Sequence, residues 1–446
     1  MENDKAYCPS GITRRQVVGA AASATALTIV PRHVLGGPGR TAPSEKLNIA
    51  CIGVGGRGYP MAMNVSTENI VVLCDVDDRR AAKTFNQFPK ARRYHDYRRM
   101  LDKEARNIDA VVICTTDHVH IPASVMAMKL GKGVYCEKPL GQNIHEIRVA
   151  TELAAKCNVA TQMGNESHSG YNYRSVARMI KAGTIGQVRE AHCWCDQSWP
   201  PGDRPKATPP VPKHLKWDLW LGPAPVRPYH PCYHPQGWRY WWDFGNGRIG
   251  DMGCHMIDLP FMALDLKYPL TVETRSAGPA HKESAPGWMI TSWTFPKRGK
   301  LPPVELTWYD GGKRPPLQKA HNMPDWPEAT ILVGSEGMMI ADYGRFNLFP
   351  AKKFAGVRRP RLGRMPSHAQ DWIAACKAGK PTRPGCHFGY AGPLAETVLL
   401  GTVSYRAGRK LEWDPVKLKA TNCPEADRFI RRENRKGWTL QQGMQT

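Results

Sequence analysis

Gly250-Asp251-Met252-Gly253-Cys254-His255 sets an aspartate and a histidine four residues apart, on one face if the segment is helical. An unperturbed imidazole titrates near pH ~6.5, so such a histidine can take the proton of a hydroxyl group. The same pair could begin a metal site, but no third ligand stands at a suitable spacing, and no metal is predicted. Cys193-Trp194-Cys195 has a single residue between its thiols and no second pair nearby, so it does not read as zinc-binding either. Two other polar runs each follow a short apolar one. Thr115-Thr116-Asp117-His118-Val119-His120 follows residues 110–114, and Glu137-Lys138-Pro139 follows residues 133–136. Both stand where a parallel strand would end, the edge at which open α/β sheets bind ligands.

The elements that would position these groups begin at residues 47–52, a continuous apolar run of strand length. It leads into Gly53-Val54-Gly55-Gly56-Arg57-Gly58 and then an Ala/Met-rich helical pattern. Strand, GxGxxG and helix in that order predict a dinucleotide loop in which Gly53 makes the turn, Gly55 admits the pyrophosphate and Gly58 lets helix pack on strand. A second strand, 70–75, ends in Asp75, whose carboxylate suits ribose hydroxyls and disfavours a 2′-phosphate. NAD is therefore expected over NADP, with Arg79 and Arg80 close enough to soften the distinction. Residues 159–165 read as the last strand of this sheet, with Asn165 at its mouth.

On these residues the chain resembles the glucose–fructose oxidoreductase / inositol dehydrogenase / rhizopine catabolism (Gfo/Idh/MocA) family. The resemblance rests on the Gly53–Gly58 loop, Asp75, the Asp117–His120 stretch, Glu137-Lys138-Pro139 and the Gly250–His255 segment. It implies an α/β N-terminal Rossmann domain with a parallel sheet, and an α+β C-terminal domain with a large, predominantly antiparallel open sheet. It further implies that Lys138 touches both nicotinamide and substrate hydroxyl, that His255 is the acid/base and that Asp251 holds the histidine or the substrate. Gly53, Gly55, Arg57, Gly58, Asp75, Asp117, His118, His120, Glu137, Lys138 and Asn165 would bind the cofactor, and a homodimer or homotetramer is implied. Tyr171, Tyr173 and Arg239 are polar groups available near the substrate, with Tyr173 and Arg239 the expected contacts.

Composition bounds the alternatives. The chain has 446 residues, 41% of them hydrophobic, which excludes a disordered or fibrous protein. A formal net charge of +23 invites a polyanionic partner. The basic residues are scattered and no nucleic-acid-binding motif accompanies them, so nucleic acid is not expected, whereas an anionic glycan is compatible. No apolar run is long enough for a membrane-spanning body. Thr13-Arg14-Arg15-Gln16 before a short Ala-rich run resembles a twin-arginine export leader over residues 1–40, predicting a periplasmic protein. A dinucleotide domain at 45–165 and a substrate and oligomerisation domain at 166–420 would follow, the latter with a Trp/Pro-rich insertion at 194–250. Half of the insertion's tryptophans are expected in a core and the rest available to stack on sugar rings. The charged tail, 421–446, carries no readable function, and His368 reads as structural.

The expected activity is NAD-dependent oxidation of a secondary hydroxyl of a carbohydrate or glycoside by an exported enzyme that keeps its cofactor. The closest rival is an NAD-assisted glycosidase like glycoside hydrolase family 109. A glycan-binding protein on the same fold is the rival from another class.

Overall fold

The computed structural model describes residues 42–197 and 202–440. The predicted export leader lies outside the described residues, as do positions 198–201 of the insertion and 441–446 of the tail.

The first sheet consists of β1 (Asn48–Ile52), β2 (Asn69–Cys74), β3 (Arg92–Tyr94), β4 (Ala110–Ile113), β5 (Gly133–Cys136) and β6 (Thr161–Met163). All pairings are parallel, in the order β3-β2-β1-β4-β5-β6. Helices α1 (Gly58–Asn64), α2 (Asp78–Gln87), α3 (Tyr97–Glu104), α4 (Asp117–Lys129) and α5 (Ile144–Cys157) alternate with the strands. This is the Rossmann arrangement, with its strand order reversing between β1 and β4. β4 and β5 are buried at every residue, which is why they read as unbroken apolar runs. β3 has no such run: Arg-Arg-Tyr forms a strand only because β2 supplies a pairing edge.

After α6 (Tyr171–Lys181) comes the second sheet, of nine strands in the order β13-β12-β11-β7-β10-β9-β8-β14-β15. Its members are β7 (Val188–Cys195), β8 (Thr271–Ser276), β9 (Met289–Phe295), β10 (Val304–Asp310), β11 (Glu328–Gly334), β12 (Met338–Ala341), β13 (Phe346–Phe349), β14 (Leu411–Asp414) and β15 (Lys419–Ala420). Every pairing is antiparallel except β7 with β10. β9 alternates buried and half-buried residues, whereas β10 is buried almost throughout. The reason is a second small core on the far face, where Trp194, Tyr309, Ile331 and Ile340 pack with Met323 and Trp326.

Between the sheets' elements run α7 (Trp217–Leu221), α8 (Gly247–Leu264), α9 (Pro316–Ala320), α10 (His368–Ala378), α11 (Phe388–Ala407) and α12 (Asp427–Ile430). Three prolines inside helices, Pro122, Pro260 and Pro393, remove an N–H each, and at the first two the carbonyl four residues earlier finds another donor. Pro260 in α8 frees the Met256 carbonyl, which accepts from the Thr330 hydroxyl at 3.0 Å and from the Cys193 thiol at 3.5 Å. Pro122 in α4 frees the His118 carbonyl, which accepts from Arg432 at 2.7 Å. α8 is thereby pinned to the large sheet, and the C-terminal segment to the Rossmann sheet. The described cysteines are free thiols, most of them buried, and they serve as small apolar groups.

Four histidines are packed inside in their neutral form. His118 Nε2 lies 3.0 Å from the Trp220 carbonyl, His120 bridges the Pro139 and Thr115 carbonyls at 2.8 and 3.1 Å, and His368 Nε2 lies 2.8 Å from the Met163 carbonyl. Burial pushes their imidazoles down, to about 3 for His118 and about 4 for His120 and His368. His255 of α8 is likewise lowered to about 3, by burial and then by the Lys138 ammonium. Because these folded values lie below the unfolded ~6.5, the unfolded chain binds more protons under acid conditions. Their contribution to stability is complete above pH ~6.5 and is lost progressively as pH falls toward the folded values. The melting temperature should therefore drop between pH 7 and 5. His120→Asn should flatten that drop by on the order of 1–2 kcal/mol in a paired pH series.

Candidate active site

The β1–α1 loop is built around close backbone contacts. Gly53 has φ of +76°, and a Cβ there would meet the Cys114 carbonyl group at 2.7 Å, while one on Gly58 would fall 1.8 Å from the Gly53 oxygen. Asp75 at the end of β2 accepts from the Val54 and Gly55 amides at 2.7 and 2.9 Å, and from the Asp77 amide at 3.0 Å. Its carboxylate thus shapes the glycine loop itself, beyond the ribose contact expected of it. Arg80 packs over Gly55 and Gly56, while Arg79 points to solvent.

A cavity of about 520 Å³ starts at this loop and ends at Asp251. Gly53, Gly55, Arg57, Asp75, Thr115 and Arg80 line one end, and Arg239, Tyr240, Arg248 and Asp251 the other. Its roof comes from outside the Rossmann sheet: Trp220, His234 and Trp238 of the insertion, and Trp438 of the tail.

At the far end, Lys138 Nζ donates to the Asp251 backbone carbonyl at 2.7 Å and to its carboxylate at 2.8 Å. Arg239 Nε reaches the same carboxylate oxygen at 3.1 Å, and Arg248 donates to the other at 3.0 Å. Burial alone would raise the Asp251 carboxyl. The three cations instead hold it well below the usual carboxylate range. One turn along α8, His255 has a buried Nδ1 with no partner among the described residues. Asp117 opens α4 nearby, and burial pushes its carboxyl well up despite Arg239 and Lys138. Arg57 and Glu137 meet each other, at 2.9 Å, with Glu166 as the second anion on Arg57 at 2.8 Å.

The remaining candidates act one layer back. His120 braces the Glu137-Lys138-Pro139 turn through the Pro139 carbonyl, whereas His118 faces the insertion through Trp220. Asn165 is wholly buried and donates to the Cys254 carbonyl at 2.9 Å. Tyr173, 1% exposed, donates to the His255 carbonyl at 3.1 Å. Neither of these two lines the cavity. They fix the backbone of α8 beside His255, together with the buried His168–Asp258–Tyr390 cluster, in which Asp258 lies 3.0 Å from the imidazole and 2.6 Å from the phenol. Tyr171 lies at the surface, donating to the Pro360 carbonyl at 3.2 Å.

Sequence reasoning missed the roof. Among the described residues, four of the insertion's indoles make a core of their own, Trp217 stacking on Trp220 at 4.5 Å and Trp238 and Trp241 completing it with Tyr233 and Phe244, while Trp194 and Trp242 pack elsewhere. These packed indoles leave Trp220 and Trp238 as the ones of this core that line the cavity. His234, 2.7 Å from Asp77, fastens this unit to the end of β2. The tail is equally well held: Arg432 and Asn434 bind Glu146, Arg435 pairs with Asp218, and Trp438 packs under the Arg98 guanidinium, 3.7 Å from its ring centre. A lone tryptophan in a charged segment carries no periodic signal that could have announced this.

Fold and cavity define a dinucleotide-binding α/β oxidoreductase class. Two family profiles match: "Oxidoreductase family, NAD-binding Rossmann fold" over residues 47–165, and "Oxidoreductase family, C-terminal alpha/beta domain" over residues 187–300. The chain belongs to the Gfo/Idh/MocA oxidoreductase family. It is 26% identical over 144 residues to a myo-inositol 2-dehydrogenase of Thermotoga maritima, an alignment covering 32% of this chain and 42% of that one. The chain thus spans less than half the length of the curated relatives it matches first. The fold is shared with myo-inositol 2-dehydrogenase of Lactobacillus plantarum (TM-score 0.55, 20% identity, covering 83% of this chain and 100% of that one). It is shared also with an inositol dehydrogenase homologue of Azotobacter vinelandii, solved with NADH and myo-inositol (TM-score 0.54, 15% identity, 82% and 98% covered).

The residues present fit NAD: the glycine loop leaves room for close backbone approach, and Asp75 stands beside it at the end of β2. Among the described residues no three His, Cys, Asp or Glu side chains converge as a metal site, and no helix is long and apolar enough to cross a membrane. Gly58→Ala should weaken NADH binding at least tenfold, since the loop must open to admit the methyl group, and should cost about 1–3 kcal/mol of stability. Fluorescence titration and thermal melting check the two effects.

Proposed function

We propose that this protein oxidises a secondary hydroxyl of a carbohydrate or cyclic polyol with NAD. The observation that carries this reading is Asp251 at the end of a cavity that begins at the glycine loop, bound from behind by Lys138 and one helical turn from His255, neither of which is itself in the cavity's lining. When bound, NAD supplies the hydride acceptor. The alcohol loses hydride and proton to become a ketone, and the protein's part is to orient it and take the proton. His255, kept neutral by burial, would take that proton through Nε2, since its Nδ1 is enclosed by protein. Lys138, held in place by Asp251 and by the His120-braced turn, donates a hydrogen bond from Nζ to the alkoxide as charge develops there.

We further propose that the protein is exported through its twin-arginine leader with the cofactor aboard. The roof of Trp220, His234, Trp238 and Trp438 supports retention, because it adds contacts over a nucleotide that the Rossmann sheet alone does not supply. Retention favours a second reading on the same residues, in which each cycle is redox-neutral. Transient oxidation of a glycoside would acidify the neighbouring C–H, allow elimination, and be reversed after water adds.

Protein purified without added nucleotide should release near-stoichiometric NAD(H) on denaturation, and a chain ending at residue 430 should release much less. Empty full-length protein that binds NAD weakly would exclude the retained cofactor and the redox-neutral reading. Lys138→Met should lower turnover by about 10²–10⁴-fold while leaving NADH binding within a few-fold. Unchanged turnover would remove Lys138 from the reaction.

A further inference from the structure

The reaction end of the cavity holds more positive charge than proton handling uses. Lys138, Arg239 and Arg248 all converge on one carboxylate, and that carboxylate already accepts from all three. Two further acids stand near these cations, Asp117 and Glu137, but neither is paired with Arg239 among the described residues, and Glu137 is engaged by Arg57.

Arg239 is the cation most open to the cavity. Its side chain is 31% exposed, against 7% for Arg248. It lies 4.4 Å over the ring of buried Trp238, and both residues line the cavity. Its Nε serves Asp251, and one Nη donates to the Gln236 carbonyl at 3.3 Å. The rest of its five N–H donors are uncommitted among the described residues. Stacking holds the planar fork in one orientation, so little side-chain entropy is lost when a ligand arrives.

A neutral sugar hydroxyl requires no such charge, and a partly buried guanidinium such as Arg239's carries a desolvation cost that an incoming anion offsets. Two coplanar oxygens match a guanidinium edge, which is the geometry of a carboxylate. The chain's +23 adds a field that draws anions toward it.

We propose that the substrate bears a carboxylate that docks on Arg239 beside Asp251, so that the protein selects sugar acids over neutral sugars and polyols. This rests on the cavity being shared by NAD and substrate.

The test is calorimetric titration of the NADH-loaded protein with matched probes: D-glucuronate against D-glucose, D-galacturonate against D-galactose, and glucose 6-phosphate. In at least one pair the acid should bind about ten- to a hundredfold more tightly. Arg239→Met should abolish that advantage and Arg239→Lys should restore part of it, with NADH affinity equal in all three proteins. The proposal is overturned if no pair shows an advantage for the acid, binding of neither member included. It is overturned equally if the advantage survives in Arg239→Met, or if the phosphate outbinds both acids. Failure to bind NADH at the outset would instead overturn the dinucleotide reading beneath it.

Discussion

One carboxylate gathers the site. Asp251, on α8, receives Lys138 from the turn after β5, Arg239 from the insertion and Arg248 from its own helix. Lys138 lies more than a hundred residues away in the chain, and neither it nor Arg239 is held in this geometry by its own element. A buried carboxylate that lost its cations would have to take up a proton. The pairing therefore couples the docking of the insertion to the placing of Lys138. The structure adds a constraint on the other partner: α8 is fixed along its length by Asn165, Tyr173, Thr330 and the His168–Asp258–Tyr390 cluster. Asp251 and His255 therefore stand on a rigid rod.

The Rossmann half was legible because its signals are local. Fully buried parallel strands read as unbroken apolar runs, and the glycine loop must keep its order to make its turn. β3 escaped notice because it borrows its structure from β2. The second sheet's strands were visible in outline, but nothing in their alternation marked what packs on its far face. Trp326 and Met323 cover part of it from a segment with no regular pattern of its own.

Within the site, Lys138, Asp251 and Arg57 stand near the cavity for reasons their spacing suggested. Asn165 and Tyr173 instead hold backbone carbonyls, a role that depends on which helix passes beside them and on nothing in their own neighbourhood. Asp75 lies between these cases, at the expected strand end but turned partly onto its own loop. The tryptophans divide in the same way: their clustering marks an aromatic core, while the ones that line the cavity are chosen by packing.

The tail that contributes Trp438 is the last described part of the chain, and its anchors lie on α3, α4, α5 and the insertion. During synthesis every other wall of the cavity can form before those residues leave the ribosome. The chamber therefore stays open on one side until residues 432–438 have been made. Loading of the nucleotide and docking of that segment become ordered events, the first free to precede the second.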